Sequence, residues 1–410
     1  MQRHLPNLRE LRPLLRVEPP RLDRRARLAK AVDVPDLRRV ARRRTPRAAF
    51  DYVDGAAQRE LTLARSRAAF DAVELLPRIL HGTATVDLST TIAGGTSALP
   101  FGIAPTGFTR LMQTEGEDAG MGAAAAAGIP FTLSTMGTRS LEQVAAVAPG
   151  ARRWFQLYLW KDRQKSLDLL ERAQASGFDT LLVTVDTPVA GQRLRDTRNG
   201  MVIPPRLSLA TIADASYRPA WWFNFLTTEP LAFASLSSSS QDLPSLTNAM
   251  FDPTLSLDDL AWIRSVWPGR LFVKGILTPE DTRRALDTGA DGLVVSNHGG
   301  RQLDRAPVSL EALPAVRAEA GDDVEIILDS GILSGADIVA ALCAGADFTL
   351  IGRAYLYGLM AGGRAGVDRV IELLAREIEV TMQLMGAASI ADLGPHLLGT
   401  RRSDAAALVR

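Results

Sequence analysis

The chain has 410 residues, a formal net charge of +1, and the apolar and charged fractions of a soluble globular protein. This length suits one large α/β domain or two ordinary domains. The balanced charge argues neither for nor against binding to nucleic acid, and no nucleic-acid partner is predicted.

A single cysteine, Cys343, excludes an intrachain disulfide and fits a reducing, cytoplasmic setting. Its ALCAGAD surroundings are typical of the end of a packed helix, so a structural thiol is expected there. The N-terminus lacks the apolar core of a signal peptide, and no apolar run is long enough to span a membrane. Metal-ligand spacings such as CxxC and HExxH are absent, and no metal site is predicted.

Arginine greatly outnumbers the acidic residues in an N-terminal arm, residues 1–45. Such charge runs are usually solvated, although contact with acidic membrane lipid or with a partner subunit also fits the composition. Helical patterns occupy 34–70, so residues 1–100 are predicted to form a mostly helical preface.

Eight short apolar runs then alternate with helical patterns. Each run is rich in Val, Ile, Leu or Phe without polar alternation, which is typical of parallel strands buried on both faces. Glycines close the helical segments between them, as in DLLERAQASG and PEDTRRALDTGA. The runs span residues 101–105, 130–135, 154–158, 180–186, 271–276, 292–297, 325–331 and 348–353.

Eight strands with intervening helices favour one α/β architecture, the (β/α)8 TIM barrel, over a doubly wound sheet. The spacing breaks once, after the fourth run, where a long insertion is predicted at about 200–256. Its aromatic stretch, 218–241, fits either a small subdomain core or a surface that touches a membrane or covers the site. We expect a barrel domain over 46–395, helical again from 364, and a tail at 396–410.

The sixth run ends in SNHGGR, which places one of only four histidines, His298, at a strand end. Active sites of such barrels lie on that face. Imidazole takes up and returns a proton near neutral pH, and the adjacent Arg301 can hold a carboxylate in bidentate fashion. Asp186, after the fourth run, is placed to orient the imidazole. A general base beside a carboxylate clamp suggests chemistry on a carbon next to a carboxylate.

Polar residues at the other strand ends point to a phosphorylated cofactor. Lys274 lies inside an apolar strand, where its ammonium needs an anionic or electron-rich partner. The segments DSG, 329–331, and GR, 352–353, follow the last two runs, where such barrels often bind phosphate. No GxGxxG follows a strand and no P-loop is present, so a mononucleotide such as FMN fits better than a dinucleotide.

At this point the motifs SNHGGRQLD, FQLY, TVDTP and VKGI, with the later DSG and GR, resemble those of the FMN-dependent L-2-hydroxy-acid oxidases and dehydrogenases. They occur in order over about residues 35–395, and GxRxRDxRNG and GRAYLYGLMAGG look similar to bacterial L-lactate and mandelate dehydrogenases. The resemblance implies oxidation of an L-2-hydroxy acid, L-lactate in particular, to the 2-oxo acid. It also implies FMN as cofactor, a quinone or another carrier as electron acceptor, and a homotetramer.

The resemblance assigns roles at the matching positions. His298 is the base, backed by Asp186, and it ends protonated whether the Cα hydrogen leaves as a proton or as a hydride. Substrate binding falls to Tyr52, Tyr158, Arg193 and Arg301. Flavin binding falls to Pro105, Thr106, Gly107, Ser134, Gln156, Thr184, Lys274, Ser296, Asp329, Gly331, Gly352 and Arg353.

Three positions depart from relatives or vary among them. Leu333 stands where many relatives have a phosphate-binding Arg, so Arg353, the backbone or another cation must hold the phosphate. Met136 stands where glycolate oxidase has a Trp, which marks a different pocket for the substrate side chain. Gly107 is an Ala in many oxidases and favours a dehydrogenase. The alternative is an oxygen-using 2-hydroxy-acid oxidase that produces hydrogen peroxide.

Two other classes are disfavoured by the complete set of substrate residues. An isomerase or cofactor-maturation enzyme on an FMN barrel typically lacks part of this His and Arg set. A lipid-binding protein without catalytic activity would not need this set of His and Arg residues. Peripheral association with the inner face of the cell membrane, alongside catalysis, is compatible with the basic arm and the aromatic stretch.

Overall fold

A computed structural model describes residues 7, 23–200, 214, 216–229 and 252–399. Three predicted regions lie partly or wholly outside these residues: the start of the arginine-rich arm, most of the insertion with the end of its aromatic stretch, and nearly all of the tail. Every helix in the described part of the chain is too short or too polar to span a lipid bilayer.

The helices before and within the barrel surround a central sheet. They are α1 Arg24–Ala29, α2 Val34–Arg44, α3 Arg47–Asp54, α4 Leu61–Asp71, α5 Thr109–Met112, α6 Gly116–Ala127, α7 Leu141–Val147, α8 Arg163–Ala175, α9 Leu194–Arg198, α10 Pro219–Thr227, α11 Leu257–Val266, α12 Pro279–Asp287, α13 Ser309–Ala320, α14 Gly335–Cys343, α15 Arg353–Gly362 and α16 Arg364–Met385. The predicted helical preface corresponds to α1 to α4, and Cys343 is the buried last residue of a helix, as predicted.

Eight parallel strands form a closed barrel, which confirms the predicted (β/α)8 architecture. The strands are β3 Phe101–Ile103, β4 Phe131–Ser134, β5 Arg153–Leu157, β6 Thr180–Thr184, β7 Arg270–Ile276, β8 Gly292–Val295, β9 Glu325–Asp329 and β10 Phe348–Ile351. They follow one another in chain order around the barrel, and β10 pairs with β3 to close it. Since all eight run in the same direction, their carboxyl ends meet at one rim.

A hairpin that the sequence reading did not predict closes the opposite end. It consists of β1 Thr90–Ile92 and β2 Gly95–Ser97. Ile92 joins the inner cluster of the barrel together with Trp154, Phe272 and Phe348. The hairpin backbone is held by Arg152, which donates to the Ile92 carbonyl at 2.9 Å. The barrel interior is therefore packed at its base, opposite the rim where the strands end.

Local signals explain where several helices begin and end. Thr278 accepts a hydrogen bond from the amide of Asp281 and is followed by Pro279 at the first position of α12. Ser334 and Asp337 form a capping box at the start of α14. Gly289 follows α12 with a φ of 86°, a conformation that glycine adopts readily.

The last two helices approach unusually closely. A Cβ built on Gly358 in α15 or on Gly366 in α16 would overlap the carbonyl oxygen of the other glycine. Helix packing at this point therefore depends on the absence of both side chains.

We expect Gly366→Ala to lower the melting temperature, because overpacking costs about 1–3 kcal/mol and exceeds the helix-propensity gain of about 1 kcal/mol. Differential scanning calorimetry provides the measurement. Gly150→Ala is the matched control, since nothing lies within 4 Å of its Cβ position. A melting temperature for Gly366→Ala at or above that of the unchanged chain would contradict the close helix contact.

Candidate active site

A cavity of about 520 Å³ opens at the rim where the strands end. Most of the residues predicted for the site line it. They are Tyr52, Pro105, Thr106, Gly107, Ser134, Gln156, Tyr158, Thr184, Arg193, Lys274, His298, Arg301, Asp329, Gly331, Gly352 and Arg353. The other two, Asp186 and Ser296, stand directly behind the lining and bond to residues in it.

His298 connects a carboxylate to the cavity. Its Nδ1 lies 3.0 Å from Asp186 Oδ1, and its Nε2 lies 3.4 Å from the hydroxyl of Tyr158. A carboxylate beside Nδ1 favours a proton on that nitrogen, which leaves Nε2 free to accept one from a ligand. Burial and the charge of Asp186 raise the pKa of Tyr158 above its usual value, so this phenol stays protonated and can donate a hydrogen bond.

The backbone around His298 is held in an uncommon conformation. His298 has a φ of 58°, and Gly299 follows with a φ of 64°. The amide of His298 donates to Ser296 Oγ at 3.0 Å, and the amide of Gly299 donates to Ser330 Oγ at 2.9 Å. These bonds compensate the strain of a left-handed residue that is not glycine. The imidazole is therefore fixed by its backbone as well as by Asp186.

A glycine in the neighbouring strand makes room for Asp186. Gly275 has a φ of 113°, and a Cβ there would lie 2.7 Å from the Cβ of Asp186. The register between β7 and β8 shifts at this point, between Lys274 and Ile276. The irregularity lets the Asp186 carboxylate approach the imidazole from behind.

Arg301 and Arg193 both contact the ring of Tyr52. The guanidinium carbons lie 4.8 Å and 5.6 Å, respectively, from the ring centroid. Arg193 donates to Asp196 at 3.1 Å, whereas Arg301 donates to backbone carbonyls, with the Tyr52 oxygen at 2.5 Å. Burial and the neighbouring charge of Arg193 lower the pKa of Arg301 to about 10, so it remains charged at neutral pH.

Lys274 forms a buried ion pair at the centre of the rim. Its Nζ lies 2.9 Å from Asp329 Oδ2, and Ser296 Oγ bridges the two groups at 3.0 Å and 2.8 Å. Burial alone lowers the pKa of Lys274, but the charges of Asp329 and Asp186 outweigh it and raise that pKa. Burial alone raises the pKa of Asp329, but the charge of Lys274 outweighs this effect and lowers that pKa. Both groups are therefore charged at neutral pH.

Polar side chains cross the ends of three adjacent strands. Ser134 Oγ donates to Gln156 Oε1 at 3.0 Å, and Gln156 Nε2 donates to Thr184 Oγ1 at 3.0 Å. These bonds hold the amide in one orientation, so it presents fixed donors and acceptors to a ligand. The pocket wall beside them is formed by Met136 and Gly107, and a Cβ on Gly107 would lie 2.8 Å from the Met136 Cβ. An alanine at 107 requires Met136 to move.

Arg353 marks the other part of the cavity, near the glycine turns after β9 and β10. Its Nε and Nη2 donate to the carbonyls of Val53 and Gly55 at 3.0 Å and 2.8 Å. Leu333 lines the cavity nearby, as does Arg67, whose Nη1 donates to the Gly331 carbonyl at 2.5 Å. A second cation is thus present beside the position where many relatives carry an Arg.

The arginines that line the cavity differ in how their charges are balanced. Four of them pair with carboxylates, namely Arg38, Arg67, Arg193 and Arg195. Arg301 and Arg353 form no ion pair with any residue that the structure describes, and carbonyl oxygens hold both. The cavity therefore offers two guanidinium groups that no ion pair compensates, which suit two anionic groups.

Several lining residues were not predicted from the sequence. Arg38, Asp54, Arg67, Arg195 and Tyr357 all reach the cavity, and three of them belong to the preface. Asp54 receives hydrogen bonds from Arg38, Arg195 and Tyr357. Arg195 lies within the GxRxRDxRNG motif, which was a usable signal. Tyr357 lies within GRAYLYGLMAGG, which was a second usable signal. The three preface residues carry none, because a helix before the barrel reveals nothing in sequence about which strand ends it covers.

Comparison with known families and proteins gives a consistent result. Residues 41–400 match the family of FMN-dependent dehydrogenases. A "Putative L-lactate dehydrogenase" of Mycobacterium tuberculosis is 56% identical over 404 residues, which cover 98% of each chain. The L-lactate dehydrogenase of Caulobacter vibrioides is 43% identical over 373 residues, covering 89% of this chain and 97% of that protein.

Solved structures agree with the sequence comparison. The crystal structure of the monotopic membrane protein (S)-mandelate dehydrogenase superposes with a TM-score of 0.87 at 35% identity and covers 90% of this chain and 99% of that one. A mandelate oxidase superposes with a TM-score of 0.78 at 37% identity, covering 90% of this chain and 98% of that one.

The buried pair at the rim gives a prediction for stability. Lys274→Met leaves the Asp329 carboxylate buried without its cation, so the free energy of unfolding should fall by about 3–5 kcal/mol. Chemical denaturation of the flavin-free proteins measures this without a contribution from bound cofactor. The double variant Lys274→Met/Asp329→Leu should recover most of the loss, since no unpaired charge remains. If the single variant were as stable as the unchanged chain, the pair would not be charged.

Proposed function

The chain belongs to the FMN-dependent dehydrogenase family, and on that premise we propose that it oxidises an L-2-hydroxy acid, L-lactate in particular, to the 2-oxo acid. The observation that carries the proposal is the pair of uncompensated guanidinium groups, Arg301 and Arg353, in one cavity with the imidazole of His298. One anion site suits a cofactor phosphate, and the other suits a substrate carboxylate within reach of a base.

The residues present fit FMN. Arg353 and the glycine turns at 329–331 and 352–353 would hold the phosphate. Arg67 lines the same part of the cavity and donates to the Gly331 carbonyl, although its charge is paired with Asp337. Lys274 and the fixed amide of Gln156 would hold the ring. When bound, FMN supplies the acceptor for the two electrons that leave the substrate.

The substrate is held by its carboxylate and hydroxyl. In the proposed complex Arg301, assisted by Arg193, binds the carboxylate, and the protonated hydroxyl of Tyr158 donates to a substrate oxygen. His298 Nε2 takes up a proton, and the resulting imidazolium is stabilised by Asp186, 3.0 Å from Nδ1. Tyr52 contacts the carboxylate while its ring supports both guanidinium groups.

We further propose that the electrons pass to a quinone or another carrier at a membrane. Support comes from α10, where Phe223 and Leu226 are each 69% exposed beside the exposed Tyr217. A monotopic membrane protein among the related structures supports the same arrangement. The chain would then be a cytoplasmic enzyme attached peripherally to the membrane.

We also propose a homotetramer, which the family resemblance implies. Exposed apolar side chains support a contact between copies. Ile79 and Leu80 are 83% and 99% exposed, and the adjoining backbone amide of Arg78 donates to the carbonyl of the exposed Leu384. Sedimentation equilibrium gives the mass directly, and a monomer that persists at high concentration would contradict this proposal.

The activity is tested by mixing the purified flavoprotein with L-lactate under anaerobic conditions. Loss of the flavin absorption band on mixing with L-lactate, and none with D-lactate, is the expected result. If larger L-2-hydroxy acids bleach the flavin and L-lactate does not, the side-chain pocket at Met136 selects a different substrate of the same class. Admitting air then distinguishes the oxidase alternative, which would restore the colour rapidly and release hydrogen peroxide.

Replacement of the base should abolish most turnover. His298→Gln is expected to lower kcat at least about 100-fold, because the amide cannot take up the proton. Flavin content, measured by absorbance after denaturation, should remain unchanged. His396→Gln, an exposed histidine, is the matched control and should keep full activity. Near-normal turnover in His298→Gln would exclude the proposed base.

Arg301→Lys should be severe although it keeps the charge. A lysine ammonium cannot form the bidentate pair with a carboxylate, and losing a charged hydrogen bond of about 1.5–3 kcal/mol corresponds to roughly 10- to 100-fold in kcat/KM. Steady-state kinetics with L-lactate measures the effect. The exposed Arg376→Lys is the control, and equal values for the two variants would contradict the carboxylate clamp.

Membrane attachment is tested by pelleting with anionic liposomes. The double variant Phe223→Ser/Leu226→Ser removes two exposed apolar side chains of α10 and should reduce the pelleted fraction several-fold, because buried apolar area drives interfacial binding. Val32→Ser removes a side chain that is 70% exposed before α2 and should leave pelleting unchanged. Equal pelleting of all three proteins would contradict the proposal that α10 contacts the membrane.

A further inference from the structure

A second, much smaller cavity of about 30 Å³ lies beneath α10 and shares no lining residue with the first. It is bordered by the preface, by α5 and by the junction of α15 and α16. The residues that decide its character are Arg24, Arg44, Arg110, Trp221, Phe225 and Met360. Three arginines thus line a space large enough for one small ion.

The positive charges around this cavity exceed the negative ones. Arg24 pairs with Glu115 at 2.8 Å. Arg44 forms no ion pair within the described part of the chain, and burial together with the charges of Arg27 and Arg24 lowers its pKa. Neighbouring cations that repel one another are stabilised when an anion binds between them.

Arg110 supplies an independent sign of a missing acceptor. The residue is only 6% exposed, and its Nη2 donates to the carbonyl of Glu229 at 2.9 Å. Its Nε is buried and has no hydrogen-bond partner among the residues that the structure describes. A buried donor without an acceptor costs about 1–3 kcal/mol. A ligand that brings acceptor oxygens into the cavity would satisfy it.

Aromatic rings form the outer wall. Trp221 and Phe225 stack at 4.9 Å with an interplanar angle of 10°, and Trp221 Nε1 donates to the carbonyl of Leu111 at 3.1 Å. The wall is therefore fixed to α5 and places apolar surface along one side of the cavity. A lower local dielectric strengthens charged hydrogen bonds in such a place.

We propose that this cavity binds a phosphate group, carried either by a soluble phosphate ester or by a phospholipid headgroup. Phosphate offers more negative charge and more acceptor oxygens than a carboxylate, which matches several guanidinium groups around one small space. The cavity is too small for a nucleotide or a quinone ring. The proposal is independent of the substrate of the enzyme, because no residue of the central cavity takes part.

The test titrates inorganic phosphate into the FMN-loaded protein, so that bound cofactor occupies the other phosphate site. Isothermal titration calorimetry at constant ionic strength, with chloride as the comparison anion, should show one saturable phosphate site. Arg44→Gln should weaken it about tenfold or more, which corresponds to loss of one charged hydrogen bond. Arg43→Gln removes the same charge from an exposed neighbour and should leave the affinity unchanged. Arg44→Lys keeps the charge and should therefore retain part of the affinity for phosphate.

Vesicles of phosphatidylglycerol distinguish the two sources of phosphate. The site is assigned to a lipid headgroup if Arg44→Gln lowers the pelleted fraction, Arg43→Gln does not, and added inorganic phosphate releases the unchanged protein from the vesicles. Saturable phosphate binding without such an effect on pelleting assigns it to a soluble ester. Absence of saturable phosphate binding, or equal affinity in Arg44→Gln and Arg43→Gln, overturns the proposal.

Discussion

The C-terminal turn of α3 holds both uncompensated guanidinium groups of the central cavity. Arg301 donates to the carbonyls of Tyr52 and Gly55, and Arg353 donates to those of Val53 and Gly55. The carbonyl end of a helix carries partial negative charge, which orients cations without neutralising them. Because neither guanidinium forms an ion pair with a described carboxylate, both remain available to ligands. The arrangement explains how one cavity can suit two anions at fixed positions.

Barrel closure supplies the other half of this arrangement. Pairing of β10 with β3 brings the ends of β7, β8 and β9 to the rim that the preface covers. There Lys274 and Asp329 neutralise each other, and the imidazole of His298 hydrogen-bonds to the Asp186 carboxylate on the side away from the cavity. The Lys274–Asp329 pair is thus neutral as a whole, whereas Arg301 and Arg353, which have no ion-pair partner among the described residues, offer net positive charge to ligands. The same contrast distinguishes Arg24, which has a partner, from Arg44 in the smaller cavity.

The barrel was predictable because eight apolar runs and their glycine caps are local signals. The motif residues at the strand ends were predictable for the same reason, and the structure places them in or directly behind one cavity. The hairpin at 90–97 was not, since its short strands carry too few residues for a periodic pattern. Nor was the approach of Arg67 to Gly331, because the contact joins positions 264 residues apart and depends on how α4 docks. Long-range contacts of this kind leave no trace in local composition.

The contacts of the α3 turn also bear on when the site can exist. They join Tyr52 to Arg301 across 249 positions and Val53 to Arg353 across 300. A growing chain that has completed the preface and most of the barrel therefore still lacks Arg353, one of the two arginines that the α3 turn binds. Contacts so distant in sequence form late, because the entropy of closing the intervening chain must first be overcome. Retention of flavin consequently indicates that the α3 turn has docked onto the strand ends that carry Arg301 and Arg353.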